Sequence, residues 1–283
     1  MPSVVVTGVS TGIGHAITKL LLDKGFRVFG SVRKAADAER LIGEFGSNFK
    51  PLIFDVTDEP AIRAAADEVR AALGGERLTG LINNAGIAVS GPVIDLSADE
   101  FRRQFEVNVI GPIVATQAFA PLLGTDPSLR GAPGRIVMMS SIAAKFGNPL
   151  MAAYSASKHA LNGLSDGLRR EMMLFGIDVV TIMPGAVKTP IWAKAEQEDL
   201  SRFTASPFYP ALQKIRAMLP QMDASGLPPE TIAQHVYDAL TSPKPKAHYV
   251  VTPGPMRFWV STKLPQRWVD RIVASRLGLK RKA

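Results

Sequence analysis

Val4-Val5-Val6-Thr7-Gly8-Val9-Ser10-Thr11-Gly12-Ile13-Gly14 decides how this chain folds. The β-branched run reads as a short buried strand, and the glycines after it as a tight turn. From residue 13 to 24, Ala16, Ile17, Leu20 and Leu21 share one helical side, and Gly25 closes the helix. A Gly-rich turn alone is an ordinary loop. Placed between a strand and a helix, Gly8, Gly12, Ile13 and Gly14 let a backbone approach a pyrophosphate at a helix N-terminus.

The pattern repeats along the chain. Strands are expected at Arg27 to Val32, Leu52 to Phe54, Leu78 to Ile82, Arg135 to Met139 and Ile177 to Met183, with a late one at Tyr249 to Thr252. Helices are expected at Phe101 to Leu123, opened by the capping box of Ser97 and Glu100, at about Ala152 to Phe175, and at Thr231 to Leu240. Alternating strands and helices predict an α/β fold, a doubly wound parallel sheet of Rossmann type with helices on both faces. Ligands of such sheets lie beyond the carboxyl ends of the strands. The Gly-rich turn, Asp55, Asn83, Ser141 and Pro184 all fall at those ends. The reading gives one oxidoreductase domain over 1–255, a substrate-lid insertion at about 190–228 and a basic extension over 256–283.

Composition narrows the function classes. The 283 residues are 46% hydrophobic and contain no cysteine, which excludes disulfides and thiolate chemistry. His15, His159, His235 and His248 lack metal-ligand spacing, and no metal site is expected. The apolar runs are too short to span a bilayer, no basic leader opens the chain, and a cytoplasmic setting is expected. The net charge of +8 is concentrated from Met256 onward, where eight Lys or Arg face the single acid Asp270. A basic tail is not a basic globule, so nucleic-acid binding is poorly supported.

Tyr154 and Lys158 stand four residues apart, on one side of a helix, with Ser141 thirteen residues before the tyrosine. A phenol of pKa about 10 is a poor proton donor or acceptor near neutrality until a neighbouring cation lowers it. A serine hydroxyl beside it can hydrogen-bond a carbonyl oxygen as charge builds there. Each residue alone has a plainer reading, as core tyrosine, solvated lysine or strand-end serine; their joint spacing is the signal. Asn108 is a buried amide in an apolar helix. Asn83-Asn84-Ala85-Gly86 and Pro184-Gly185-Ala186-Val187-Lys188-Thr189 read equally well as turns or as cleft walls, Thr189 being placed to hold a carboxamide.

The second strand ends in Gly30-Ser31-Val32-Arg33-Lys34, without the acid an NAD site places on the ribose hydroxyls. Arg33 fits a 2′-phosphate, Ser10 can add a hydrogen bond to it, and NADP is favoured over NAD.

Taken in order from Val4 to Thr189, these motifs resemble the short-chain dehydrogenase/reductase family. The wording of Gly80 to Ile87, Asp166 to Glu171 and Phe175 to Ile177 is most similar to its hydroxysteroid and retinol dehydrogenase branch. The resemblance implies that Tyr154 is the general acid/base, that Lys158 lowers its pKa and holds the nicotinamide ribose, and that Ser141 orients the substrate oxygen. It implies that Asn108 holds a helix kink and a water leading to Lys158. Asp55 and Val56 would flank the adenine, Asn84, Ala85 and Gly86 line the adenosine side, and Val187 and Thr189 contact the nicotinamide amide. The branch implies a lipophilic alcohol and ketone pair, which the aromatics and methionines of 190–222 suit. Reduction of small or acyl-type ketones is an alternative, and a non-catalytic dinucleotide-binding sensor or scaffold is another. The family often forms dimers or tetramers through the helices corresponding to 101–123 and 152–175. Residues 264–279 draw as a helix with Trp268, Val269, Ile272, Val273 and Leu277 on a broad side. That side either packs on the body or makes weak peripheral contact with a membrane.

Overall fold

The computed structural model describes residues 1–279, without the side chains of Lys194 and Arg257; Lys280, Arg281 and Lys282 of the basic tail lie outside the described residues. Seven parallel strands form one sheet: β1 Ser3–Val6, β2 Arg27–Val32, β3 Phe49–Ile53, β4 Gly80–Asn83, β5 Arg135–Met139, β6 Asp178–Pro184 and β7 His248–Val251. Their order is β3-β2-β1-β4-β5-β6-β7. β1 pairs with β2 on one side and β4 on the other, so the winding reverses between β1 and β4. A crevice opens there, beyond the carboxyl ends of the strands.

Period-two alternation splits the core along β1, whose residues are all buried. Val4 and Val6 pack with Ile17 and Leu21 of α1 (Gly12–Asp23), Leu41 of α2 (Ala35–Phe45) and, from a late helix, Ile232 and Val236. Val5 faces the opposite layer, with Ile62 and Val69 of α3 (Glu59–Leu73), Phe119 of the central helix and Leu161. Both faces of the sheet are thus covered by helices, as a parallel sheet demands.

The central helical stretch runs from Ala98 to Thr125. It comprises α4 (Ala98–Phe105), a π-turn at Glu106–Ile110, α5 (Gly111–Ala120) and a second π-turn at Pro121–Thr125. The expected capping box is formed: Ser97 accepts from the Glu100 amide, and the Glu100 carboxylate accepts from the Ser97 amide at 2.9 Å. This stretch corrects one expectation, because by length and composition alone it is apolar enough to cross a bilayer. It carries buried Gln104 and Asn108 and packs against α3 and α6 (Ala152–Met172), as a core helix does.

Residues 190–228 hold α7 (Ile191–Glu196) and α8 (Tyr209–Ala224). Leu200, Phe203, Ala211 and Leu212 form a third apolar cluster with Leu96, Leu150 and Ala153 of the body. Ser90 donates to Glu198 at 2.6 Å, and Arg202 bonds Glu100 at 2.6 Å, so polar ties hold the same segment at its rim. α9 (Pro229–Thr241) returns the chain to the sheet, and α10 (Pro255–Ser261) and α11 (Gln266–Leu277) follow β7.

Candidate active site

The turn after β1 is held from both sides. The Thr7 hydroxyl accepts from the amides of Asn84 and Ala85 at 2.9 and 3.0 Å. The Asn84 side-chain amide donates to the carbonyls of Thr7 and Gly8 at 2.9 and 3.0 Å. Gly8 and Gly12 take φ of 71° and 62°, a region that favours glycine. A Cβ on Gly14 would collide with the Gly8 carbonyl oxygen. Thr11 makes no side-chain cap on α1, which leaves the first-turn amides free for an acceptor from outside the helix.

Beyond this turn lies a cleft of about 870 Å³. Gly8, Ser10, Gly12, Ile13 and Gly14 form one wall, and Arg33, Asp55 and Val56 the outer end. Asn84, Ala85 and Gly86 make the floor, and Thr189 closes the remaining side against Gly12. The glycine cradle, the uncapped helix start and the cleft volume fit a dinucleotide. The Arg33 side chain is 69% exposed and stands 3.7 Å from Asp55, with its guanidinium free to turn toward an anion. The Asp55 carboxylate accepts from the amide and hydroxyl of Thr57 at 3.0 and 2.9 Å, which fixes the loop after β3.

The proton-transfer candidates sit behind the floor of the cleft rather than in its wall. A Cβ on Gly86 would stand 3.8 Å from Lys158 Nζ and 3.3 Å from Asn108 Oδ1. Ser141 ends the loop after β5, accepts from the Ala143 amide at 3.1 Å and donates to the Pro184 carbonyl at 3.4 Å. Tyr154 and Lys158 project from the first turns of α6, with the ammonium 5.7 Å from the centre of the phenol ring. Lys158 is 6% exposed, while Tyr154 is half-buried and keeps part of its surface open.

Burial governs both titrations. It raises the Tyr154 phenol above its ordinary value, and the Ser141 hydroxyl opposes that rise. It lowers the Lys158 ammonium to about 8. Lys158 Nζ donates one hydrogen bond to the Met139 carbonyl at 2.8 Å, and two further N–H groups remain on the ammonium beside the Tyr154 ring.

Asn108 lies in the π-turn at Glu106–Ile110. Its amide accepts from Ile87 N at 2.9 Å and donates to Ile87 O at 3.0 Å and to Ser157 Oγ at 3.2 Å. Ser157 in turn donates to the Tyr154 carbonyl at 2.7 Å. One asparagine therefore ties the cleft floor to the helix of the tyrosine and lysine.

Pro184, Gly185 and Val187 lie away from the cleft wall. Gly185 abuts Thr252, where a Cβ has no room, and donates its amide to Val251 at 2.8 Å. Val187 is 4% exposed, and its carbonyl accepts from the Trp192 indole at 2.6 Å.

Three residues escaped the sequence reading. Ser31 accepts from the Gly8 amide at 2.9 Å, and the Arg40 guanidinium donates to the Ser10 carbonyl at 2.8 Å, so β2 and α2 shape the turn. Gln104 accepts from Val89 N at 2.7 Å and donates to Ile87 O at 3.0 Å. It stands four residues before Asn108, and two amides at that spacing in an apolar helix were a legible signal.

A doubly wound parallel sheet, a glycine cradle at its switch point and a serine, tyrosine and lysine behind it define a nucleotide-dependent oxidoreductase. The short chain dehydrogenase family model matches residues 2–200, and the chain belongs to the short-chain dehydrogenase/reductase family. It is 39% identical over 269 residues to an NADPH-dependent 3-dehydrocapnine reductase of Ornithobacterium rhinotracheale, covering 95% of this chain and 94% of that protein. It is 31% identical over 290 residues to the bovine dehydrogenase/reductase SDR family member 7B, covering 99% and 82%. A short-chain dehydrogenase structure from Streptomyces avermitilis superposes with a TM-score of 0.76 at 26% identity, covering 97% and 94%.

Proposed function

We propose that this chain is an NADP(H)-dependent oxidoreductase that interconverts a lipophilic secondary alcohol and its ketone, or an alcohol and aldehyde, with Tyr154 as general acid/base. The carrying observation is the half-buried Tyr154 phenol set between Ser141 and Lys158 behind the cleft floor. A bound nicotinamide dinucleotide supplies the hydride. Tyr154, whose pKa burial raises, holds its proton at neutral pH and donates it to the carbonyl oxygen in the reductive direction. Ser141 hydrogen-bonds the same oxygen as negative charge develops. Lys158 keeps a cation within reach of the phenol, and Asn108 positions the helix that carries both.

NADP is preferred to NAD on the strength of Arg33, the absence of an acid at the end of β2, and the NADPH dependence named for the Ornithobacterium relative. Thr189 marks the nicotinamide end in this reading, with Pro184, Gly185 and Val187 holding the turn that brings it to the cleft. A lipophilic substrate is supported by Val89, Met151 and Ile191 along the cleft and by the apolar cluster that seats the lid. Residues 1–255 form the catalytic body with its lid at about 190–228, and 256–283 the extension. A homodimer or tetramer in the cytoplasm completes the reading; nucleic acid has no part in it.

The test is NADPH oxidation with ketones and aldehydes of increasing apolar length. Turnover is expected to rise with chain length, and Tyr154→Phe to lower it about 10²–10⁴-fold. A Tyr154→Phe protein that works at the parental rate refutes the mechanism. A preference for short ketones refutes the substrate class alone.

A further inference from the structure

α10 and α11 together expose five large apolar side chains. Met256, Trp259 and Val260 of α10 are 72%, 57% and 47% exposed, and Trp268 and Ile272 of α11 are 59% and 47% exposed. The opposite sides of both helices are anchored. Phe258 stacks edge-on against Phe146 with centroids 5.6 Å apart. Val269, Val273 and Leu277, at helical spacing, are half-buried, and Leu277 packs on the lid cluster. The broad apolar side drawn from the sequence thus divides. One stripe packs inward, and Trp268 with Ile272 is left outside.

Charge borders this outer surface. Arg267 and Arg271 run along one side of the Trp268 and Ile272 stripe and Arg276 lies at its end, while Lys263 Nζ stands 6.0 Å from the Trp259 ring centre. Asp270 is the one acid from Met256 onward. No ion pair among the described residues involves Lys263, Arg267, Arg271 or Arg276. Indoles prefer the boundary between water and hydrocarbon, and unpaired cations prefer anionic headgroups. A protein partner would be expected to bring acidic side chains into register with fixed cations. A lipid surface needs only a basic border around an apolar centre.

We propose that α10 and α11 form a docking face for an anionic phospholipid surface, with Trp259 and Trp268 seated at the headgroup level. The placement of this face matters. Phe146 belongs to the loop between Ser141 and Tyr154, and Leu277 packs on the cluster under residues 190–228, so the docking helices touch both segments next to the site. A lipophilic ketone then reaches the cleft from the membrane rather than through water. This delivery rests on the substrate class proposed above; the docking does not.

Vesicle co-sedimentation of the full chain tests it, with phosphatidylcholine alone and with added phosphatidylglycerol. The full chain is expected to pellet with the anionic vesicles and to stay in solution with the neutral ones. Arg267→Glu combined with Arg271→Glu is expected to weaken pelleting by about tenfold or more, since each basic residue near such a surface contributes about fivefold. Trp259→Ser combined with Trp268→Ser is expected to weaken it comparably, with thermal midpoint and turnover of a water-soluble ketone unchanged. Absence of pelleting, equal pelleting with neutral vesicles, or variants that pellet like the parent overturns the proposal. So does a parent that stays in solution while the tryptophan variant changes from oligomer to monomer, which makes the face a contact with a second copy. A chain that pellets yet reduces no ketone overturns the proposed function and leaves the docking standing.

Discussion

Replacing Lys158 with methionine is expected to make the cofactor-free protein more stable at neutral pH while removing its activity. Lys158 is 6% exposed, and burial lowers its pKa from 10.5 to about 8. A gap of that size corresponds to about 3 kcal/mol spent near neutrality on holding an ammonium out of water. Methionine has similar length and no charge, but it leaves the Met139 carbonyl without the 2.8 Å hydrogen bond from Nζ. That loss offsets about 1 kcal/mol. The net gain of about 2 kcal/mol raises the thermal midpoint by roughly 4–8 °C for a chain of this size. The sign of the pH dependence follows from proton counting. Between pH 8 and 10.5 the unfolded lysine holds a proton that the folded one has released, so the parent gains stability as pH rises through that window. The advantage of the variant should therefore shrink by about 1 kcal/mol between about pH 7 and pH 9. Denaturation of both proteins at the two pH values measures it. A variant less stable than the parent near neutrality, or an advantage that ignores pH, refutes the reasoning.

Arg33→Ala is expected to weaken NADPH binding by at least about tenfold and leave NADH binding within about twofold, as loss of a charge-assisted phosphate contact predicts; fluorescence titration with both dinucleotides reads the difference, and an equal effect on both removes the NADP assignment. Gly14→Ala is expected to cost about 1–3 kcal/mol in stability and to open the turn after β1, because the new methyl group overlaps the Gly8 carbonyl. An alanine variant with the parental midpoint and cofactor affinity would show that this turn has slack.

The sheet was readable because the strands are short apolar runs that stop at polar or turn-forming residues, such as Thr7-Gly8 after β1, Arg33 after β2 and Ser140 after β5. β3 begins at Phe49, ahead of the expected Leu52, because it is an edge strand: Lys50 reaches solvent there, and Pro51 is tolerated. α2 and α3 were not foreseen. α3 buries Ala65 and Ala66 among only three larger residues, so its apolar stripe has little contrast with the alanines around it. At the site, Tyr154 and Lys158 were legible from spacing within one helix. What orients Lys158 was not, since the Met139 carbonyl comes from β5, nineteen residues before it, and every residue has a carbonyl. The raised pKa of Tyr154 was likewise hidden, because burial is a property of the packed fold and not of the motif.

Leu150 has a bearing on how the segment 190–228 is joined to the body. It holds φ at 62°, the one non-glycine residue among those described with a positive value, and it is 5% exposed. Such a backbone persists only when its surroundings enforce it. Its side chain packs in the apolar cluster with Leu200, Phe203 and Leu212, and its carbonyl accepts from Gly91 N at 2.8 Å. That contact lies four residues before Tyr154, so the packing of residues 190–228 bears directly on the backbone that leads into α6. The positive-φ backbone at Leu150 thus ties the seating of residues 190–228 to the start of the helix that carries Tyr154 and Lys158.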